Sequence, residues 1–267
     1  MKFTDKTVLI TGGCSGIGKI LARKSIERGC RKLVIWDVNE AGLQQVKDEF
    51  SSLAAEIFIF KVDVSDLDEI KIQAQRVRTE VGAVDVLINN AGIVVGKYFH
   101  EHTHDQIEKT FLINTNAYLH ISLEFLSGML ANNSGTICNI ASSAGLIANP
   151  KMSVYAASKW AVVGWSDSLR LEMKQLGKNI SITTILPFFI NTGMFDGVKS
   201  KILPILEPED ASEKIMVAIE KENKMMAMPL PYWFIRFSQG ILPISIFDWV
   251  MDNVFGIYDT MKEFRGR

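Results

Sequence analysis

Apolar residues along this chain fall into two alternating patterns. Short runs read as buried strands at Thr7–Thr11, Lys32–Trp36, Glu56–Val62, Val84–Asn89, Gly135–Ile140 and Ile180–Leu186. Stretches of helical length and amphipathic spacing lie between them, at Gly16–Arg28, Asn39–Ser51, Leu67–Thr79 and His104–Leu130, with a further helix expected over Ser153–Leu176. Near-continuous apolar strands, each followed by a crossover helix, predict a parallel sheet covered on both faces. Right-handed crossovers make that sheet doubly wound. The expectation is therefore an α/β protein: a single-domain Rossmann-type doubly wound parallel sheet over 1–267, with helices on both faces. Met225-Met226-Ala227-Met228 adds a short strand at the sheet edge.

Composition changes this picture only near the C-terminus. Charges thin out over 225–264, and Tyr232, Trp233, Phe234, Phe237, Phe247, Trp249, Phe255 and Tyr258 crowd together. This segment reads as a pocket wall or oligomer contact, with a membrane-facing surface as the second reading. Arg236, Asp248 and Asp252 interrupt its apolar run short of the ~20 residues of a membrane span. Nothing before the first strand reads as a targeting segment, so the expected location is cytoplasmic, with peripheral membrane association as an addition. Lys and Arg number 29 against 30 Asp and Glu, which gives no general attraction to nucleic acid. Three cysteines without CxxC spacing argue against a disulfide framework or structural zinc. His100, His102 and His104 alternate, but they read as a solvated helix entry capped by Thr103 or Asp105, so no metal is expected.

Two regions carry candidate chemistry. Gly12, Ser15, Gly16, Ile17 and Gly18 follow the first strand and open the first helix. There glycine permits a tight turn, close approach of backbone to a pyrophosphate and close helix–strand packing, while the helix N-terminus offers free N–H donors. Asp37 ends the second strand 19 residues after Gly18, close to the ~20 expected of an acid that binds an adenosine ribose. Its charge repels a 2′-phosphate, and no Arg or Lys stands at Ser15 or directly after Asp37 to offset it. NAD(H) is therefore expected over NADP(H). The bland alternative for Asp37 is a cap on the next helix. Asp63 and Val64 end the third strand, facing the adenine. Asn90, Ala91 and Gly92 end the fourth, where small residues let a ribose lie against the backbone.

Tyr155 and Lys159 are four apart on a helix and share a face. A nearby ammonium lowers a phenol's pKa from its ordinary ~10 and so suits it to proton transfer with an alcohol or carbonyl. Ser142 lies just past a strand end, 13 residues upstream, and can bond the same substrate oxygen. Asn114 sits among apolar neighbours in Phe111-Leu112-Ile113-Asn114, which suggests a polar role or a local helix distortion.

Together these motifs resemble the short-chain dehydrogenase/reductase family over roughly Lys6 to Ala218. The resemblance rests on Thr11-Gly12 with Gly16-Ile17-Gly18, on Asn89-Asn90-Ala91-Gly92, on Asn114, Ser142 and Tyr155 with Lys159, and on Pro187 with Thr192. It implies a catalytic tetrad of Asn114, Ser142, Tyr155 and Lys159, with Lys159 also on the nicotinamide ribose and Asn114 ordering a water. It implies too that Pro187, Ile190 and Thr192 pack on the nicotinamide and bind its carboxamide, and that the chain forms a homodimer or homotetramer. Phe188 stands where family members often carry glycine. Trp36-Asp37, Phe189 to Gly193 and the aromatic tail look most like the retinol and hydroxysteroid dehydrogenase branch. That implies NAD(H)-linked hydride transfer with a small lipophilic alcohol or carbonyl, of retinoid, steroid or long-chain type, in lipid metabolism. An NADPH-dependent carbonyl reductase and a non-enzymatic NAD(H)-sensing binding protein are the alternatives.

Overall fold

The computed structural model describes residues 1–229 and 231–266; Leu230 and Arg267, which fall inside the spans expected above, lie outside them. Strands β1 (Thr7–Thr11), β2 (Lys32–Asp37), β3 (Glu56–Lys61), β4 (Val86–Asn89), β5 (Gly135–Ile140), β6 (Ile180–Pro187) and β7 (Met225–Met228) form one sheet in the order β3-β2-β1-β4-β5-β6-β7. Every pairing is parallel, from Thr7 beside Lys32 at one end of the register to Pro187 beside Met228 at the other. Burial follows position in the sheet. All residues of β1 and β4 are buried, whereas edge strand β3 is exposed at both ends. Full burial on both faces is why β1 reads as an unbroken apolar run rather than an alternating one.

Helices α1 (Gly16–Glu27), α2 (Glu40–Phe50), α3 (Leu67–Glu80), α4 (His104–Phe111), α5 (Ala117–Asn132), α6 (Ser153–Gln175) and α7 (Pro208–Glu220) cover the sheet. α1 packs on α7, and α3 packs on α5 while α4 packs on α6. Strand order reverses between β1 and β4, and this crevice at the carboxyl ends of the strands is where open α/β sheets bind ligands. A buried polar bridge ties the layers beneath it. Asn89 Nδ2 donates to Ser122 Oγ at 3.0 Å and to Asn139 Oδ1 at 2.8 Å, and Asn139 Nδ2 donates to Ser166 Oγ at 2.9 Å.

Several sequence expectations are refined. β4 starts at Val86 rather than Val84, and β2 runs one residue further, through Asp37. Asp37 is not the cap of α2: Asn39 is, accepting from the Gly42 N–H at 3.1 Å. The continuous helix expected over His104–Leu130 is broken by a π turn at Leu112–Asn116, with Asn114 buried inside it. Thr103 caps α4 in a reciprocal arrangement with Gln106. Beyond β7, α8 (Tyr232–Ile241) and α9 (Ile244–Trp249) form the aromatic segment. No helix among the described residues is long and apolar enough to cross a membrane.

Candidate active site

The β1–α1 turn is shaped by steric necessity. Gly12 has φ +65, and a Cβ there would stand 3.0 Å from the Ala91 Cα. A Cβ on Gly18 would stand 2.1 Å from the Gly12 carbonyl oxygen, so only glycine lets α1 dock this closely on β1. Asp37 is held to this loop: one carboxylate oxygen accepts from the Cys14 N–H at 3.0 Å and the other from the Asn39 N–H at 3.0 Å. Asp63 accepts from both the N–H and the hydroxyl of Ser65, at 2.9 and 2.6 Å, and these bonds hold its carboxyl below the usual range. Asn90 turns its amide inward, donating to the Thr11 and Gly12 carbonyls at 2.9 and 3.1 Å, and so staples β4 to β1.

One cleft of about 270 Å³ collects these groups. It is lined by Gly12, Ser15, Gly16, Ile17 and Gly18, by Asp37, Asp63 and Val64, by Asn90, Ala91 and Gly92, and by Pro187, Ile190 and Thr192. Ser142, Tyr155 and Lys159 line its far end. Every residue assigned to a cofactor from sequence therefore meets in one place. Asn114 stands behind the wall. Its Oδ1 accepts from the Ile93 N–H at 2.8 Å, while Nδ2 donates to the Ile93 carbonyl at 2.9 Å and to Ser158 Oγ at 3.2 Å. The π turn supplies this reach by bringing an amide that a regular helix would aim elsewhere onto the loop after β4.

The fit to a dinucleotide is tested by the cradle itself. Backbone fills the space that side chains at Gly12 and Gly18 would need, and it leaves the loop surface and the N-terminus of α1 open to a pyrophosphate. Across the cleft Thr192 comes within 3.6 Å of a Cβ placed on Gly16, so the Pro187 loop closes over the glycine loop. Lys159 is the only lysine or arginine lining the cleft among the described residues.

The helical spacing of Tyr155 and Lys159 predicts an ammonium that lowers the phenol. The structure shows burial winning instead. Tyr155 is pushed up to about 12 by desolvation, with the Ser142 hydroxyl pulling it partly back. Lys159 is pushed down to about 7, again by burial. Its Nζ donates to the Ile140 carbonyl at 2.9 Å, lies 5.9 Å from the Tyr155 ring centre and sits over the Tyr118 ring at 5.0 Å. Ser142 accepts from the Ala144 N–H at 3.1 Å, which fixes its hydroxyl at the turn after β5. In a buried site each charge is disfavoured on its own, so the pair is tuned by whatever charge is bound beside it.

An apolar wall next to Ser142, Tyr155 and Lys159 is not apparent in the sequence. Phe195 meets the Tyr155 ring edge-on with centres 6.1 Å apart and packs on Phe189 at 5.0 Å. Ser142, Phe188 and Phe195 line both the long cleft and a second cavity, whose lining also includes Ile235 and Ile257. The residue types after Pro187 carried an apolar signal; their distance from Tyr155 did not show in the sequence.

Comparison with known proteins agrees with this geometry. The profile of the family described as short chain dehydrogenase matches residues 6–202. Epidermal retinol dehydrogenase 2 of Mus musculus is 41% identical over 271 residues, covering 97% of this chain and 85% of the mouse protein. Estradiol 17-beta-dehydrogenase 11 of Homo sapiens is 36% identical over 241 residues, covering 90% of this chain and 80% of the human protein. A short chain dehydrogenase/reductase from Burkholderia phymatum, solved in complex with NAD, superposes with a TM-score of 0.81 at 25% identity, covering 90% of this chain and 95% of that one. A metagenomic short-chain oxidoreductase in complex with NADP superposes with a TM-score of 0.69 at 26% identity, covering 81% and 91%. With the cradle, the tyrosine–lysine pair and these relatives in agreement, the chain belongs to the short-chain dehydrogenase/reductase family, on its retinol and hydroxysteroid dehydrogenase branch.

Proposed function

We propose that this protein is an NAD(H)-dependent dehydrogenase that oxidises a lipophilic alcohol or reduces the matching carbonyl, of retinoid, steroid or long-chain type. One observation carries the reading: the cleft lined by Tyr155 and Lys159 shares Ser142, Phe188 and Phe195 with an adjoining apolar cavity. When bound, the nicotinamide accepts or supplies the hydride and, in its oxidised form, brings a positive charge to the site. Ser142 and Tyr155 hold the substrate oxygen, and Tyr155 takes its proton in oxidation or returns one in reduction. Lys159 holds the nicotinamide ribose and, when charged, favours the phenolate. Asn114 keeps the Ile93 backbone in place and orders a water on the proton path. Gly12, Ser15, Gly16, Ile17 and Gly18 take the pyrophosphate, Asp63 and Val64 the adenine, Asn90, Ala91 and Gly92 the ribose, and Pro187, Ile190 and Thr192 the carboxamide.

NAD(H) is preferred because Asp37 accepts from ribose hydroxyls, and the exposed neighbour Val38 offers a 2′-phosphate no charge. Phe188 and Phe195 border both compartments, so a dinucleotide held in the cleft would help close the substrate pocket, and ordered binding with NAD(H) before substrate is expected. The chain works as one domain whose 225–264 segment walls the pocket from inside. Its outer side, with Trp233, Phe237 and Ile244 exposed by 61%, 63% and 81%, suits contact with a second copy or a lipid surface.

The test is turnover by purified protein with NAD and with NADP on retinol, steroids, long-chain alcohols and small polar sugars. Turnover of lipophilic alcohols with NAD is expected. Activity confined to sugars would overturn the substrate class, and a preference for NADPH with carbonyls would favour the carbonyl-reductase alternative.

A further inference from the structure

Residues 191–205, between β6 and α7, contain neither helix nor strand, yet Phe195 within them meets the Tyr155 ring edge-on at 6.1 Å. A loop without regular structure needs outside support to hold a ring in place, and the segment 257–266 supplies it. The Lys199 N–H donates to the Thr260 carbonyl at 3.3 Å and the Arg265 N–H to the Asp196 carbonyl at 3.0 Å, so two backbone bonds bracket Gly197. At Gly197 φ is +82, and a Cβ would stand 2.2 Å from the Glu263 carbonyl oxygen, so the two backbones meet directly. Lys199 also pairs with Glu263 at 2.6 Å.

Phe264 stands in the middle of this junction. On one side its ring packs on Phe195, with centres 6.5 Å apart. On another it covers Gly96, in the loop after β4. A Cβ on Gly96 would stand 2.2 Å from both Cδ1 and Cε1 of the Phe264 ring and 3.0 Å from Met261 Cε. Gly96 does not have a positive φ, so its backbone does not demand glycine. The Phe264 ring does. Asn114 holds the same loop at Ile93, so Phe264 is seated on chain already tied to the site. Contacts therefore run without a gap from Gly96 through Phe264 and Phe195 to Tyr155. Phe264 lines neither cavity, and the family profile ends at residue 202, short of it.

We propose that Phe264 is a positioning residue for the reaction: seated on Gly96, it holds Phe195 against the Tyr155 ring and so fixes the aim of the phenol. Lys159, with Nζ 5.9 Å from the ring centre, shares the helix of Tyr155 and is held with it. Phe195 is the contact that comes from a loop, and it is only as fixed as what stands behind it. A misplacement on the order of 1 Å at a reacting group costs about a hundredfold in rate. This inference rests on the reading of Tyr155 as the proton-transfer group and adds a residue that acts on it through Phe195.

The experiment is a double-mutant cycle on the full chain, with NAD and whichever alcohol the wild type oxidises. Gly96→Ala should push the ring off its seat and lower kcat by about tenfold to a hundredfold, with NADH affinity retained in a fluorescence titration. Phe264→Ala should lower kcat to the same degree. Combining the two should cost nothing more, because no ring is left for the added methyl to displace. Phe264→Tyr, which keeps the ring, should retain most of the turnover. Should Phe264→Ala not melt cooperatively, Phe264→Leu takes its place in the cycle. Wild-type kcat in Gly96→Ala or in Phe264→Ala, or losses that simply add, overturn the assignment of Phe264 and leave the dehydrogenase reading standing. A lowered melting midpoint with kcat intact does the same, since it marks a role in stability alone. A wild-type protein that turns over no alcohol or carbonyl with either dinucleotide overturns both.

Discussion

Tyr155, with its phenol held near 12, cannot act as a base at neutral pH until a positive charge is lodged beside it. Tyr155→Phe removes the transferable proton while keeping the ring against Phe195, so turnover should fall by about 10²–10⁴ with NADH binding retained in a fluorescence titration. Full turnover would overturn the role. Lys159 gives a second, independent reading. Its value of about 7 lies below the ordinary 10.5, so between those pH values the unfolded chain binds a proton that the folded chain does not. Stability of the cofactor-free protein therefore rises as pH climbs from about 7 to 10.5, by a few kcal/mol at most. Above pH 10 Tyr155 works in the opposite sense, since the unfolded phenol ionises first. Denaturant melts of Lys159→Met across that range should lack the rise; an unchanged slope would show that Lys159 stays charged in the apo fold. Asp37→Ala should weaken NAD and narrow the gap to NADP, read as the ratio of kcat/KM for the two cofactors.

At the scale of elements, α1 and β1 form the most constrained joint. Gly18→Ala puts a methyl 2.1 Å from the Gly12 carbonyl, so α1 must lift off the strand. The expected result is about 1–3 kcal/mol of destabilisation together with loss of dinucleotide affinity, seen in a melt and a titration of the same variant. This joint was legible in the sequence because its demands are local: a strand, a turn and a helix in succession, with glycine where a Cβ has no room. The strands were legible for a related reason, since burial on both faces forces an apolar run whatever the neighbours are. Asn114 was half legible. Its apolar surroundings suggested a distortion, but a π turn depends on what Ile93 and Ser158 offer across space, and no helical periodicity encodes that.

Over the whole molecule, the carboxyl edge of the sheet is where loops from β1, β2, β3, β4, β5 and β6 converge, so a bound dinucleotide cross-links most of the chain. At a hundred times its Kd, such a ligand stabilises the fold by about 2.7 kcal/mol. For a chain of this size the midpoint of thermal unfolding should rise by roughly 5–10 °C. NADH should produce the larger shift and NADPH at equal concentration a smaller one; equal shifts would remove the case for Asp37 as the discriminating group. The aromatic C-terminal segment behaves differently from the rest. Ile235 and Ile257 look inward while Trp233 and Phe237 look outward, so one stretch of chain serves the pocket and the surface together. That double duty is why composition alone left several readings of it open.

The π turn at Leu112–Asn116 has a consequence for how chain length bears on activity. A π turn holds one residue more than an α-helix needs over the same rise. Deleting a single residue there would let the helix run regularly from α4 into α5, a comfortable local state for the backbone. α4 and α5 would keep nearly their present relation, because the π turn absorbs the surplus residue locally, but the side chains within the turn would be re-aimed and the amide of Asn114 would swing off Ile93. Elsewhere in a buried helix a deletion is expected to damage folding first and function as a result. Here the order should reverse: a shortened chain that still melts cooperatively, yet turns over no substrate, would show that the surplus residue is retained for the site rather than for the helix.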